Sequence, residues 1–307
     1  LIDYENSTRD GFVEGVYNTP WNAECVGIYS ILSKIATVTG HEMEAQKYES
    51  LSNTVRTNMI RKMYHEQEGK FHDSLNADGT PTRTDGCSVY PSIYALAYGV
   101  YDSQEMADRL AEFVAGDGEF KGSIYMSCFI LRGLYSTNNG RLAMALLTNS
   151  KVGKNVRTFA SVLDDLQATI TPEAWGEEHK IAMTLSHPWG SSPGGAIVQG
   201  MFGIAPITPG FDRFAIRLQP GGIASAKVKT PSVKGPILVS YKQKKDGLTV
   251  KVTIPANTEA KVSLPAGDRA GSSFLVDGQA VEASRTGDYL MVSLGSGTHS
   301  LEISGGA

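Results

Sequence analysis

Residues 168–195, ATITPEAWGEEHKIAMTLSHPWGSSPGG, concentrate the side chains of this sequence that could do chemistry. They hold Glu173, Glu177 and Glu178, His179 and His187, Trp175 and Trp189, and a GxSxG match at Gly190–Gly194. Glycoside hydrolysis needs two carboxyl groups, one ionised and one protonated, and aromatic rings against the apolar face of the sugar. Glu173, two residues before Trp175, supplies half of that requirement. Ser192, the serine of the GxSxG match, would instead act as a nucleophile on a sharp turn. A third reading is a polar loop in which Glu173 caps a helix, and composition taken by itself favours it. Glu177 and Glu178 sit in a polar run with Lys180 and read as solvated.

The surroundings narrow these readings. A nucleophile elbow belongs at the top of a parallel sheet of alternating strands and helices. Nothing upstream reads as such a sheet, and the only later histidine is His299. No HExxH, EF-hand loop or His/Cys cluster is present, and no P-loop or strand-GxGxxG-helix unit, so neither a metal nor a cofactor is expected. His65 and His72 flank a turn and read as solvated. Cys25, Cys87 and Cys128 are an odd, widely spaced set without a CxxC pair, expected as free thiols in helix cores. A net charge of -4 gives no electrostatic footprint for nucleic acid. No apolar run approaches the roughly 20 residues of a membrane span. The first residue is Leu1 and no signal sequence follows, so a piece of a longer protein is expected and the compartment stays open.

The elements that must position these groups fall into two halves. Residues 1–204 read as successive helical hairpins. WNAECVGIYSILSKIATVTG places Cys25, Ile28, Leu32 and Ile35 on one face and stops at Gly40. HEMEAQKYESLSNTVRTNMIRKMY carries Tyr48, Leu51, Val55 and Met59 on one face, and the short connection predicts an antiparallel pair. SVYPSIYALAYGV with SQEMADRLAEFVAG, then SIYMSCFILRGLYST with NGRLAMALLTN, repeat the pattern. NVRTFASVLDDLQAT is a weaker helix because of its β-branched residues, and GAIVQGMFGI reads as a small-residue helix packed on both sides. No repeat signature of a TPR-like solenoid occurs, and the hairpins suit a toroid. Residues 205–307 change period. FDRFAIRLQP, AKVKTPSV, PILVSYKQ, LTVKVTIP, EAKVSLP, SFLVDG, YLMVSL and HSLEIS alternate between Gly- and Pro-rich turns, including the Asp246-Gly247 pair, as in an antiparallel β-sandwich. This half contains no tryptophan or cysteine.

TLSHPWGSSPGGAIVQGMFGIAPITPGFDRFAIRLQPGG resembles the junction between barrel and C-terminal β-domain in bacterial α-L-rhamnosidases of glycoside hydrolase family 78. STRDGFV with NTPWNAE, GSIYMSCFILRGL, IPANTEAKVSLP, FLVDGQAV and GTHSLEI resemble further segments of that family, in the same order, so the resemblance covers essentially the whole chain. It implies the C-terminal portion of an (α/α)6 barrel over residues 1–204, a β-sandwich over 205–307, and inverting hydrolysis of terminal α-L-rhamnosides. It places the general base at Glu173 in TITPEAW, where Pro172 stands in place of the family's aromatic or aliphatic residue. It makes His187 a hydrogen-bonding partner of the sugar, with Trp175 and Trp189 as walls and Trp21 and Tyr17 at the opposite rim.

One departure matters. The family's general acid lies in a D-x-x-x-R-D-E-type loop, which this sequence lacks, and Asp10 in STRDG belongs to a different segment. Periodicity supplies about seven or eight helices, too few to close the barrel. The chain alone is therefore expected to be silent, to leave an apolar flank that missing helices would cover, and to partner the missing N-terminal part of the same protein and a rhamnose-containing glycan, but no nucleic acid or membrane. Secretion or a periplasmic site would suit polysaccharide degradation, though no residue indicates it. Two alternatives stay open: another α/α-toroid glycosidase acting on a different neutral sugar, and a non-catalytic carbohydrate-binding fragment.

Overall fold

The structure, a computed structural model, describes residues 9–245, 247–267 and 273–304. Asp246 of the Asp-Gly hairpin lies outside the described residues. The chain divides into two compact units between Pro193 and Gly194.

In the first unit α1 (Thr19–Val38) begins where Asn18 accepts a hydrogen bond from the Trp21 amide at 3.1 Å and Pro20 occupies the first turn. Gly40 ends the run, and α2 (Glu42–Met63) returns. The pair is antiparallel: Ser33 donates to the Ala45 carbonyl at 2.9 Å, and Ser52 donates to the Val26 carbonyl at 3.0 Å. On α2 the expected face holds, with Met59 buried and Tyr48, Leu51 and Val55 half-buried.

On α1 the expected face does not hold. The buried face is made of small residues, Ala23, Val26, Gly27 and Ala36, while Ile28 and Ile35 are exposed. Close approach decides this: a Cβ on Gly27 would lie 2.2 Å from the Tyr98 ring, so a bulkier face could not pack there. Trp21, Ile28, Ile31, Ile35 and Val38, each between 51% and 62% exposed, form one stripe along the outside of the helix.

Short strands β1 (Tyr17–Asn18), β2 (Tyr64–His65), β3 (Lys70–Phe71) and β4 (Ser74–Leu75) pair as β1 with β4 and β2 with β3 around the loop entering α3 (Tyr90–Tyr98). His65 and His72 are half-buried there rather than solvated. Their rings meet edge to face at 5.1 Å, and His72 Nδ1 lies 3.8 Å from Cys87 Sγ. Burial pushes the Cys87 thiol up to about 11, which leaves it unreactive at neutral pH. The three cysteines are not in helix cores: Cys25 and Cys87 are half-buried and Cys128 is exposed.

Two further hairpins follow, α3 with α4 (Gln104–Ala115) and α5 (Met126–Ser136) with α6 (Gly140–Leu147). Ser103 caps α4 by accepting from the Met106 amide at 3.2 Å. Helix α1 packs on α3 and α3 on α5, so the first members of the hairpins form one layer of an α/α toroid. Helix α7 (Phe159–Asp164) is short, as its β-branched residues suggest, and is capped by Thr158. Helix α8 (Ser192–Gly195) continues as a π-helical turn, Ala196–Met201. Ile197 is exposed, so this helix is not covered on both sides.

The second unit holds two sheets. One contains β5 (Ala205–Pro206), β6 (Arg213–Arg217), β10 (Glu259–Pro265), β13 (Ser284–Thr286) and β14 (Tyr289–Leu294), in the order β13-β14-β10-β6-β5. The other contains β7 (Ser225–Thr230), β8 (Ile237–Lys244), β9 (Gly247–Ile254), β11 (Ser273–Val276), β12 (Gln279–Ala280) and β15 (Gly297–Ser304), in the order β12-β11-β15-β9-β8-β7. Val239, Tyr241, Val250, Val252, Leu301 and Ile303 alternate into one side of the core, and Phe214, Ile216, Val262 and Leu264 into the other. The sandwich is not wholly antiparallel. β6 and β10 run parallel, in register from Arg213 with Glu259 to Arg217 with Ser263.

Candidate active site

Residues 165–187 contain no regular element and are shaped by specific ties. The Glu173 amide donates to the Thr184 carbonyl at 3.0 Å and the His187 amide to the Thr171 carbonyl at 2.7 Å. These two bonds draw the TITPEAW segment alongside the SHPW segment. The Glu173 side chain is 11% exposed. Its Oε1 accepts from Lys180 Nζ at 2.6 Å, and its Oε2 accepts from the Thr184 amide at 3.1 Å and from Thr184 Oγ1 at 3.4 Å. The hydrogen bond from Lys180, followed by that from the Thr184 amide, holds the Glu173 carboxyl below its usual range. It is a carboxylate at neutral pH, the state required of a base. Three described bonds against about four lone-pair positions leave room for one water proton.

The same Thr184 hydroxyl lies 3.4 Å from His187 Nδ1, and the His187 ring meets Trp189 edge to face at 4.6 Å. Trp189 in turn lies 5.1 Å from the ring of Tyr125 at the start of α5. Glu173, Thr184, His187, Trp189 and Tyr125 thus form one connected, partly exposed surface of carboxylate, hydroxyl, imidazole and aromatic groups. The chain arithmetic that brings them together is local for all but Tyr125. Lys180 and Thr184 escape sequence reading because an irregular loop has no period to place them. Lys180 is the single lysine between residues 165 and 187, and that was the available signal.

The remaining site residues sit elsewhere. Trp175 is 2% exposed, stacked on Phe120 at 5.2 Å and edge-on to Phe159 at 5.3 Å. Its Nε1 donates to the Gly122 carbonyl at 3.0 Å. It is a buried anchor of the loop and not an open wall, because its large ring packs against Phe120 and Phe159. Tyr17 and Trp21 are about half exposed at the start of α1, and among the described residues no hydrogen bond or ring contact joins either to the Glu173 loop. Asp10 is consumed structurally: both its oxygens accept from Arg157 Nη1, at 2.8 and 2.7 Å, and Oδ2 also accepts from the Gly122 amide. Glu178 is exposed, as expected, and its Oε1 also accepts from the Asn155 amide at 2.9 Å.

The GxSxG match has a packing explanation. A Cβ on Gly190 would lie 2.9 Å from Pro172 Cδ, so the first glycine lets the two segments meet. Ser192 Oγ pairs with Ser127 Oγ at 2.6 Å, and His187 is engaged with Thr184 and Trp189. That arrangement does not make a nucleophile–base pair.

A family model described as the bacterial alpha-L-rhamnosidase C-terminal domain matches residues 203–273. An alpha-L-rhamnosidase of Streptomyces avermitilis is 37% identical over 65 residues, which are 21% of this chain and 6% of that protein. The solved alpha-L-rhamnosidase from Dictyoglumus thermophilum superposes with a TM-score of 0.73 at 16% identity, covering 91% of this chain and 31% of its own. The Streptomyces avermitilis alpha-L-rhamnosidase complexed with L-rhamnose gives 0.69 at 21% identity, covering 92% of this chain and 26% of its own. The chain therefore spans between about a quarter and a third of the length of these two structures. In fold over nine-tenths of its length this chain resembles the solved α-L-rhamnosidases, and its residues 203–273 match the model of the bacterial C-terminal domain.

Proposed function

We propose that this chain is the base-bearing portion of an inverting glycosidase that removes terminal α-L-rhamnosyl residues from glycosides or polysaccharides, with Glu173 as the general base. The observation that carries the reading is the Glu173 carboxyl, held by Lys180 and Thr184 beside the His187–Trp189 pair. In the inverting reaction Glu173 takes a proton from the water that attacks the anomeric carbon, His187 hydrogen-bonds a sugar hydroxyl, and Trp189 with Tyr125 faces the apolar side of the ring. The leaving oxygen needs a protonated carboxyl across the sugar, roughly 6.5–9.5 Å from the base. That acid is assigned to the part of the complete protein outside these 307 residues. The exposed stripe of Trp21, Ile28, Ile31, Ile35 and Val38 supports this division, since it suits burial under further helices of the same toroid.

The test is hydrolysis of an aryl α-L-rhamnoside by the complete protein and by residues 1–307 alone. Activity is expected from the first and none above background from the second. Turnover by the isolated chain would overturn the assignment of the acid. A complete protein that hydrolyses other aryl glycosides but not the rhamnoside would overturn the substrate.

Lys180→Met tests the state of the base. Glu173 loses the contact that most lowers its pKa, so its pKa rises towards the ordinary carboxylate value. A base works only when ionised, and the acid limb of the kcat/KM profile of the complete protein is therefore expected to move to higher pH. A limb that stays in place, or moves lower, would show that Glu173 does not set it.

A further inference from the structure

We propose that the outer face of the six-stranded sheet is a binding surface for an acidic glycan, held through its carboxylates. The alternation of β7, β8 and β9 sends Val239, Tyr241, Val250 and Val252 inward, and leaves Lys227, Lys229, Lys242, Lys244 and Lys251 exposed on the opposite face. The strand register sets them in rows. Lys227 pairs with Ser240, which pairs with Lys251, which pairs with Ser300. Lys229 pairs with Leu238, then Thr253, then Thr298, and Lys242 pairs with Thr249, then Glu302. By sheet geometry, Lys227 and Lys229 stand about 7 Å apart along one strand, and Lys227 and Lys251 about 10 Å apart across two.

Lys227, Lys229 and Lys251, with Leu238, Ser240, Thr253 and Thr298, line one shallow depression of about 490 Å³. Among the described residues no carboxylate lies within 4.0 Å of any of these five ammonium groups, whereas Lys121, Lys151, Lys180 and Lys234 are each paired. Glu302 is the one acid in those rows. Like charges this close repel within the Debye length, and a polyanion laid across the face removes that repulsion.

The chemistry of the face selects the polyanion. It carries neither arginine for bidentate phosphate contacts nor an aromatic ring for stacking bases, the two devices that nucleic-acid surfaces combine. Its lysines alternate with Ser240, Thr249, Thr253, Thr298 and Ser300, whose hydroxyls match those of a sugar chain. A neutral glycan would find no platform here, so the grip must be ionic. The choice of a glycan rests on the glycosidase reading; the requirement for negative charge does not.

The experiment is affinity electrophoresis of the 307-residue chain through gels containing polygalacturonate, the same polymer methyl-esterified, dextran or single-stranded DNA. Retardation is expected with polygalacturonate, lost on esterification, absent in dextran, and weakened at least tenfold between 50 and 200 mM salt. Lys227→Gln/Lys229→Gln/Lys251→Gln is expected to weaken it at least tenfold with an unchanged circular dichroism spectrum. The corresponding arginine triple variant is expected to retain it. No retardation at low salt, equal retardation by the esterified polymer, an unaffected glutamine variant, or stronger retention by DNA would each overturn the proposal. Hydrolysis is not read, so failure here with rhamnoside cleavage intact condemns the lysine face alone, and retention without cleavage condemns the Glu173 reading alone.

Discussion

Glu173→Gln in the complete protein is expected to lower kcat on an aryl α-L-rhamnoside by about 10²- to 10⁴-fold, the range for loss of a positioned general base. That corresponds to roughly 2.7–5.5 kcal/mol of lost transition-state stabilisation. The substitution is nearly isosteric. The amide oxygen can still accept from the Thr184 amide, but the amide nitrogen then faces Lys180, and the amide cannot take the proton of the attacking water. KM is expected to change little, because His187 and Trp189, which would hold the sugar, make their contact to each other independently of Glu173. Glu173→Asp withdraws the carboxylate by one methylene and should fall between the two. Undiminished hydrolysis in the Gln variant, with the family activity present, would move the base to another residue. A rise in KM alone, with kcat unchanged, would recast Glu173 as a binding group.

The parts of this fold that were legible in the sequence are those fixed by neighbours along the chain. The alternation in PILVSYKQ and LTVKVTIP forces Val239, Tyr241, Val250 and Val252 to one side, and both segments are strands. The segment SQEMADRLAEFVAG opens at Ser103, and α4 starts there because Ser103 caps it over only three residues. What escaped depends on residues far apart or on shape. Asp10 and Arg157 are 147 positions apart, and nothing in either segment announces the other. The inward face of α1 was misread because apolarity points to Ile28 and Ile35, whereas the neighbour accepts only the small Ala23, Val26 and Gly27 face. The parallel pairing of β6 with β10 is likewise a matter of topology, as alternation along two strands does not specify the direction in which they pair. The candidate site falls between these cases. Glu173 and His187 are proposed from motif order, whereas the contact by which Lys180 holds the Glu173 carboxyl below its usual range is seen only in space.

Trp175→Ala is expected to destabilise the first unit by about 3–5 kcal/mol, the cost of removing a large buried aromatic side chain. Three losses combine at this position. The stack on Phe120 goes, and so does the edge contact to Phe159, the first residue of α7. The Gly122 carbonyl loses the Nε1 donor that ties the Glu173 loop to the turn before α5. Trp175→Phe separates the terms: it keeps a ring between Phe120 and Phe159 but removes the donor, so it should cost about 1–3 kcal/mol, the price of one buried acceptor left without its partner. Denaturant unfolding followed by tryptophan-independent circular dichroism measures both variants, and the helical signal should melt at lower denaturant in the order wild type, Phe, Ala. An Ala variant within about 1 kcal/mol of wild type would mean that the aromatic cage repacks around the space, contrary to the behaviour of close-packed interiors. The loop links this stability to the chemistry. Trp175 is two residues from Glu173 along the chain, and its anchor at Gly122 shares that residue with Asp10 and, through it, Arg157. Loosening Trp175 should therefore lower kcat in the complete protein even at temperatures where the fold is intact, with the Phe variant less affected than the Ala variant. Equal kcat in all three would separate the anchor from the base and confine Trp175 to holding the fold.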